Sequence, residues 1–319
     1  MSRFGLRLIS VRRRAKRDAT EYLHKVEARL GWSFDAPTFH KIVKSHSVYL
    51  PIVNDAFTAL HGRYTTEIEQ ERSIHYFTCS SLFDNFLDDR LLTLEQVENI
   101  VFHAGEYEAA SFDERAFMES QAFVLIGMKE KDAYALVARK VFDAQLASLK
   151  QFDVSISNEK IQEITFAKGG NSVLLCRYYL DINPTKEEEQ CWYLLGTMIQ
   201  LSNDLFDIYK DTQQNIQTLA TRCIDAYAIE KIFLEQVNKM RGCIHSLPYS
   251  KTRKQHFSIA MAATYSLGLV AIAQLKTLQG SEKTLPSFGS LPRKALIIDM
   301  EKPKNIWLWL KFVYRYAKL

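Results

Sequence analysis

An all-α fold follows from three features of this 319-residue chain. Glycine and proline are scarce, twelve and seven residues, so the chain reads as long helices with short connections. Apolar residues recur at helical intervals along most of its length. No run alternates polar and apolar residues on either side of an Asn-Gly turn, the pattern a hairpin requires. With 47% of its residues apolar, the chain can bury a sizeable core, and one domain over 1–319 is expected.

The elements follow in order. Tyr22, Val26 and Leu30 are spaced for a helix from Ala15, and Gly31 supplies its stop. Further helices are predicted over 38–60, 64–90, 93–104, 112–128, 130–153, 157–180, 185–212, 217–246 and 249–279. Residues 280–304, with Gly, Ser and three prolines, read as a loop before a last aromatic helix over 305–319. Pro37, Pro51, Pro184, Pro248, Pro286, Pro292 and Pro303 all fall where helical patterns are expected to stop.

Composition narrows the setting. Cys79, Cys176, Cys191, Cys223 and Cys243 contain no CxxC pair and sit in apolar helical stretches, which points to reduced thiols and a cytoplasmic protein. No uninterrupted apolar run reaches the roughly 18 residues of a membrane span, and no signal-peptide core opens the chain. A soluble protein without stable membrane insertion is expected. A formal charge of +4 is too small to suggest nucleic acid. The basic run Arg12, Arg13, Arg14, Lys16 and Arg17 reads as a solvated helix face, with peripheral membrane contact and diphosphate contact as lesser alternatives. The eight histidines form no ligand-spaced cluster.

Two segments carry chemistry. In Ser80-Ser81-Leu82-Phe83-Asp84-Asn85-Phe86-Leu87-Asp88-Asp89-Arg90, Asp84 and Asp88 are one helical turn apart and share a face. Like charges at that spacing are mildly destabilising unless a cation lies between them; the alternative is an acidic, solvated helix end. In Leu195 to Asp211, Asn203, Asp207 and Asp211 recur every fourth residue, and Gly196 and Gln200 extend the stripe toward apolar turns. Polar groups on a mostly buried helix need partners, either a hydrogen-bond network or, in better accord with three oxygen ligands in register, a divalent cation.

The stretch Leu195 to Asp211, with its Leu-Gly and Gln-Leu ahead of an Asn, Asp, Asp series, resembles the second aspartate-rich motif of squalene and phytoene synthases. The same series is similar to the metal triad of class I terpene cyclases, and related motifs occur in bacterial large terpene cyclases. Asp84 to Asp89 resembles the first aspartate-rich motif of these groups, and the two segments lie just under 120 residues apart, near the separation in such folds. The resemblance is dense in about 30 residues and architectural elsewhere. It departs at Phe206, where squalene and phytoene synthases usually have Arg, and at Ala167-Lys168-Gly169-Gly170-Asn171-Ser172, which only echoes their Val-Ala-Gly signature.

The resemblance implies a class I isoprenoid synthase bundle around a central cavity. It implies Mg²⁺, three ions in the usual family arrangement, held by Asp84, Asp88, Asp89, Asn203, Asp207 and Asp211. Lys168, Arg177, Lys210, Arg315 and Tyr316 are the expected diphosphate contacts, the last two from a Tyr314-Arg315-Tyr316 run like the Arg-Tyr pair near the end of many terpene cyclases. Phe77, Ser80, Phe83, Gly169, Gly170, Asn171, Gly196, Ile199 and Gln200 are the expected cavity lining. Gly169-Gly170 is read either as a helix break that senses diphosphate or as close helix packing. The expected activity is Mg²⁺-dependent ionisation of a linear prenyl diphosphate, with cyclisation of the allylic cation in an aromatic cavity. The alternatives are a head-to-head prenyltransferase and a non-catalytic helical binding protein; a homodimer is compatible with each.

Overall fold

The structure is a computed structural model that describes residues 2–319, with side chains from Ser10 onward. Every regular element among the described residues is helical, as the composition and periodicity require. The chain forms two compact units: residues 1–135 with 178–182, and residues 136–177 with 183–319.

The first unit contains α1 (Ser2–Leu30), α2 (Ala36–Tyr49), α3 (Asp55–Leu60), α4 (Glu67–Asp88), α5 (Leu94–Phe102), α6 (Phe112–Leu125) and the start of α7 (Lys131–Ser148). The helix starts are encoded locally. Thr66 with Glu69, Thr93 with Gln96 and Ser111 with Glu114 form reciprocal capping boxes at the heads of α4, α5 and α6. Asp35 caps α2 by accepting from Thr38 N, and Pro37 sits in its first turn, where a missing N–H costs nothing. α4 packs against α2 and α6, and α1 against α2.

Pro51 departs from expectation. It does not end a helix but lies in a wide π-helical turn, Leu50–Asn54, that joins α2 to α3. Proline has no N–H for the ordinary i→i−4 bond, and one extra residue in the turn accommodates it. The turn delivers Asn54, fully buried, to the interior, where it donates to Ser73 Oγ (3.3 Å) and accepts from Tyr179 (3.0 Å). Nearby, the buried Glu69 carboxylate receives a two-pronged ion pair from Arg63 (2.6 and 2.7 Å) and the backbone N–H of Asp181. Burial alone would raise the Glu69 carboxyl, but these donors and Thr66 N–H hold it below the usual range.

The second unit contains α8 (Asn158–Leu175), α9 (Lys186–Phe206), α10 (Ile208–Gln213), α11 (Ala226–Ser246), α12 (Lys251–Gln279), α13 (Arg293–Leu296) and α14 (Pro303–Tyr316). α9 is its centre, packed against α8, α11 and α12, while α14 lies on α12. The predicted helix over 217–246 begins only at Ala226, because Asp225 caps there and Thr218 and Thr221 bond each other in the preceding turn. The predicted loop 280–304 contains a short 3₁₀ turn at Phe288–Ser290 and the one-turn α13.

α12 is long and apolar enough to cross a bilayer by length and composition, but 67% of its most apolar stretch is buried inside the protein. Thr264, Ser266 and Gly268 interrupt the apolar run in the sequence, but the rest of the helix is apolar enough to pass by composition.

Candidate active site

The two aspartate-rich segments occupy equivalent places in their own units, each at the C-terminal end of a long helix. Unpaired carbonyls there give the helix a negative end, so carboxylates in that position call for cations. Asp84 and Asp88 lie in the last turn of α4, and Asp89 is its C-cap. Asp207 is the C-cap of α9 and Asp211 lies in α10. Each segment is followed by a non-glycine residue in the left-handed region, Arg90 (φ 53°) and Asn215 (φ 55°), which turns the chain sharply away from the helix axis.

In the first unit, Lys41 of α2 donates to the Asp84 carboxylate at 2.8 Å, a partner the sequence reading did not name. Asn85 donates to Thr38 Oγ1 at 2.7 Å, which ties the last turn of α4 to α2. Asp88 and Asp89 are exposed. Of the expected cavity residues on α4, Ser80 and Phe83 are half-buried. Phe77 is buried between the rings of Tyr49 (4.9 Å) and Tyr76 (5.2 Å).

In the second unit the predicted continuous helix over 185–212 is divided at Asp207, yet the stripe survives the division. The Asp207 N–H still donates to Asn203 O (2.9 Å) and the Asp211 N–H to Asp207 O (2.8 Å). Asn203 and Asp207 are exposed, whereas Asp211 is buried. A fourth member, Asp204, is 6% exposed and was not among the expected residues. Gln200 donates to its Oδ1 at 2.8 Å, and Thr165 of α8 reaches its Oδ2 at 3.4 Å. Its signal was present: residues 200, 204, 207 and 211 follow the i, i+4, i+7, i+11 spacing of one helix face, parallel to the every-fourth-residue series.

Burial pushes the Asp204 carboxyl up to about 7, with Asp211 adding to the rise and Gln200, Lys168 and Thr165 opposing it. Burial likewise raises Asp211 to about 6, reinforced by Asp207 and opposed by Lys210 and Lys168. In both groups burial is the main cause of the rise and the neighbouring carboxylate a lesser one.

Gly169 and Gly170 do not break α8; both are helical and buried. They let α8 and α9 touch backbone to backbone. A Cβ on Gly169 would come within 2.5 Å of Gln200 Cβ, one on Gly170 within 2.5 Å of the Tyr193 ring, and one on Gly196 within 2.8 Å of Val173 Cβ, all closer than atoms can pack. On the other flank, a Cβ on Gly268 of α12 would meet Ser202 Oγ at 2.5 Å. This approach sets Lys168, one residue before Gly169, beside the carboxylates.

The remaining expected residues fall less centrally. Asn171 turns back to bond Ala167 O (2.8 Å). Arg177 is buried and ion-paired with Glu189 at 2.8 Å, so its charge is spent within the fold rather than offered to a ligand. Arg315 lies over the neighbouring Tyr316 ring within α14 (5.4 Å), and Tyr316 O accepts from Tyr265 of α12. Ile199 and Gln200 are half-buried on the same side of α9 as Asn203.

The donor set fits Mg²⁺. Carboxylate and amide oxygens are ligands of the kind it takes, and Asn203 and Asp207 present theirs on the exposed side of the helix end. Among the described residues no three His, Cys, Asp or Glu side chains are arranged to hold a metal ion unaided.

Fold and site together define an all-helical protein with two carboxylate-rich helix ends. No family model matches the chain, and no curated protein matches it. Among solved structures it is similar to a dehydrosqualene synthase crystallised with a ligand, at 15% identity and a TM-score of 0.48, over 88% of this chain and 97% of that one.

Proposed function

We propose that this chain is a Mg²⁺-dependent enzyme that ionises a prenyl diphosphate, with cyclisation of one linear substrate as the leading reaction. The observation that carries the reading is the carboxylate group at the end of α9. Asp204, Asp207 and Asp211 crowd one helix face, two of them hold protons up to about 7 and about 6, and Lys168 alone is set against them from α8. The motif resemblance of Asp84, Asp88 and Asp89 adds a second carboxylate group.

Magnesium bound at these carboxylates would neutralise diphosphate oxygens and make diphosphate a better leaving group. The protein's own contribution is positioning and charge. Gln200 and Thr165 orient the Asp204 carboxylate, Lys168 and Lys210 supply fixed positive charge, and Asn203 and Asp207 present oxygens at the accessible surface of the stripe. Phe206, in place of a basic residue, and Arg177, committed to Glu189, leave little positive charge for a second diphosphate, which favours one substrate over two. A cytoplasmic setting, in which the thiols remain reduced, accompanies this proposal.

The test is incubation with geranyl, farnesyl, geranylgeranyl and geranylfarnesyl diphosphates, with and without Mg²⁺, following diphosphate release and extracted hydrocarbons. Mg²⁺-dependent cyclic products are expected. A doubled carbon skeleton would replace cyclisation with head-to-head coupling, and no release from any substrate would refute the enzymatic reading.

A further inference from the structure

The outer face of α14 presents a second feature, unconnected with the carboxylates. Trp309 anchors the helix by donating from Nε1 to Ala263 O of α12 (2.8 Å), and Gln255 of α12 holds its C-terminal end through Ala317 O (2.8 Å). The side turned to solvent carries Ile306, Trp307, Leu310 and Tyr314, with Trp307 65% and Tyr314 70% exposed. At 100° per residue these four fall on one arc, and Lys304, Lys311 and Arg315 fall on the arc beside it. The lysines lie along the rings: Lys311 Nζ is 5.6 Å from the Trp307 centroid and Lys318 Nζ 4.1 Å from that of Tyr314.

We infer that this face of α14 is a docking surface for the negatively charged surface of a lipid bilayer. An exposed apolar arc with Trp and Tyr, bordered by Lys and Arg, is the composition of helices that lie in the plane of a membrane interface. The charge is one-sided. Residues 302–319 and the whole of α12 contain no acidic side chain, the nearest being Asp299 and Glu301 ahead of α14, and Lys251 and Arg253 add to the cationic surface at the end of α12 where α14 is fastened.

A second copy of the chain fits this face poorly. A helix of 14 residues offers an area about 21 Å by 10 Å, far below the roughly 800 Å² per partner of a stable interface. A symmetric pairing would also set these cations against themselves.

The experiment is co-sedimentation of the full chain with vesicles of phosphatidylcholine alone and of phosphatidylcholine mixed equally with phosphatidylglycerol. Binding is expected only to the anionic vesicles and should weaken in high salt. Lys304→Gln with Lys311→Gln should reduce partitioning by about fivefold per cation removed. Trp307→Ser with Tyr314→Ser should reduce it at least as far while leaving the circular dichroism spectrum and melting midpoint unchanged, because both side chains are exposed. Three outcomes would overturn the inference. One is equal or absent binding to both vesicle types. Another is binding lost in Arg12→Glu with Arg13→Glu but kept in the α14 variants. The last is concentration-dependent self-association abolished by the Trp307 and Tyr314 changes in the absence of lipid.

Discussion

Asp204→Asn removes the most deeply buried charge of the stripe and should stabilise the metal-free protein at alkaline pH. Asn preserves the shape and both bonds, since its carbonyl can accept from Gln200 and its amide can donate to Thr165 Oγ1. The Asp204 carboxyl is raised from 3.8 to about 7, so the folded state holds its proton more tightly than the unfolded chain does. Stability from this source is therefore greatest below the unfolded carboxyl value, falls as pH rises between it and about 7, and is lowest above that. At about 1.4 kcal/mol for each pH unit, the cost above pH 7 is roughly 4 kcal/mol. Removing it should raise the midpoint on the order of 5–10 °C for a chain of this size. The assay is thermal unfolding in EDTA at pH 5, 7 and 8.5. The wild type should lose stability across this range and the variant should lose less, most visibly at pH 8.5. Mg²⁺ with inorganic diphosphate should restore the wild type at pH 8.5 and help the variant less. Equal midpoints for the two proteins at pH 8.5, or parallel losses with pH, would refute the account of Asp204 as a buried, under-compensated charge.

Other perturbations test other parts of the structure. Gly196→Ala places a methyl group against the α8 backbone and should cost roughly 1–3 kcal/mol in denaturant unfolding, whereas Gly242→Ala, with open space around it, should not. Asp84→Ala, Asn203→Ala and Asp207→Ala should each abolish Mg²⁺-dependent diphosphate release with the helical spectrum intact; release retained in any two of them refutes the metal assignment. Arg63→Ala leaves the buried Glu69 carboxylate without its cation and should cost roughly 3–5 kcal/mol. Its pH dependence should also reverse: the wild-type pair stabilises above the ordinary carboxyl range and weakens on acidification, whereas the variant should recover as Glu69 becomes protonated. Cys243, whose thiol is lowered to about 7 by the hydrogen bond from Cys191 against the opposing effect of burial, should alkylate with iodoacetamide at neutral pH ahead of Cys79 and Cys223, which burial raises; peptide mass mapping reads the order.

The helical class and most element starts were legible because capping is written in neighbouring residues: Thr66 and Glu69, or Ser111 and Glu114, announce their helices without tertiary information. What escaped depends on contacts distant in sequence. Nothing local distinguishes a glycine pair that breaks a helix from one that admits a second backbone; Gly196, some 26 residues later, decides it. Asp204 was passed over because its neighbours Asn203 and Asp207 form the more regular series, and only its burial beneath α8 reveals it. Lys41 could not be assigned to Asp84, since nothing but the packing of α2 on α4 brings them together. Arg177 looked available until Glu189 was seen beside it.

The wide turn at Leu50–Asn54 has an evolutionary consequence. Its extra residue shifts the phase of everything after it by about 100°, and that shift is what aims Asn54 at Ser73 and Tyr179. Selection there acts on the number of residues as well as on the identity of the buried ones, Asn54 above all. A change at the half-buried Ile52 should be nearly silent. Loss of a single codon anywhere between 50 and 54 would rewind the turn and swing Asn54, Asp55 and Thr58 off the interior together. Among descendants of this gene, the segment should keep its length and Asn54 while Ile52 varies.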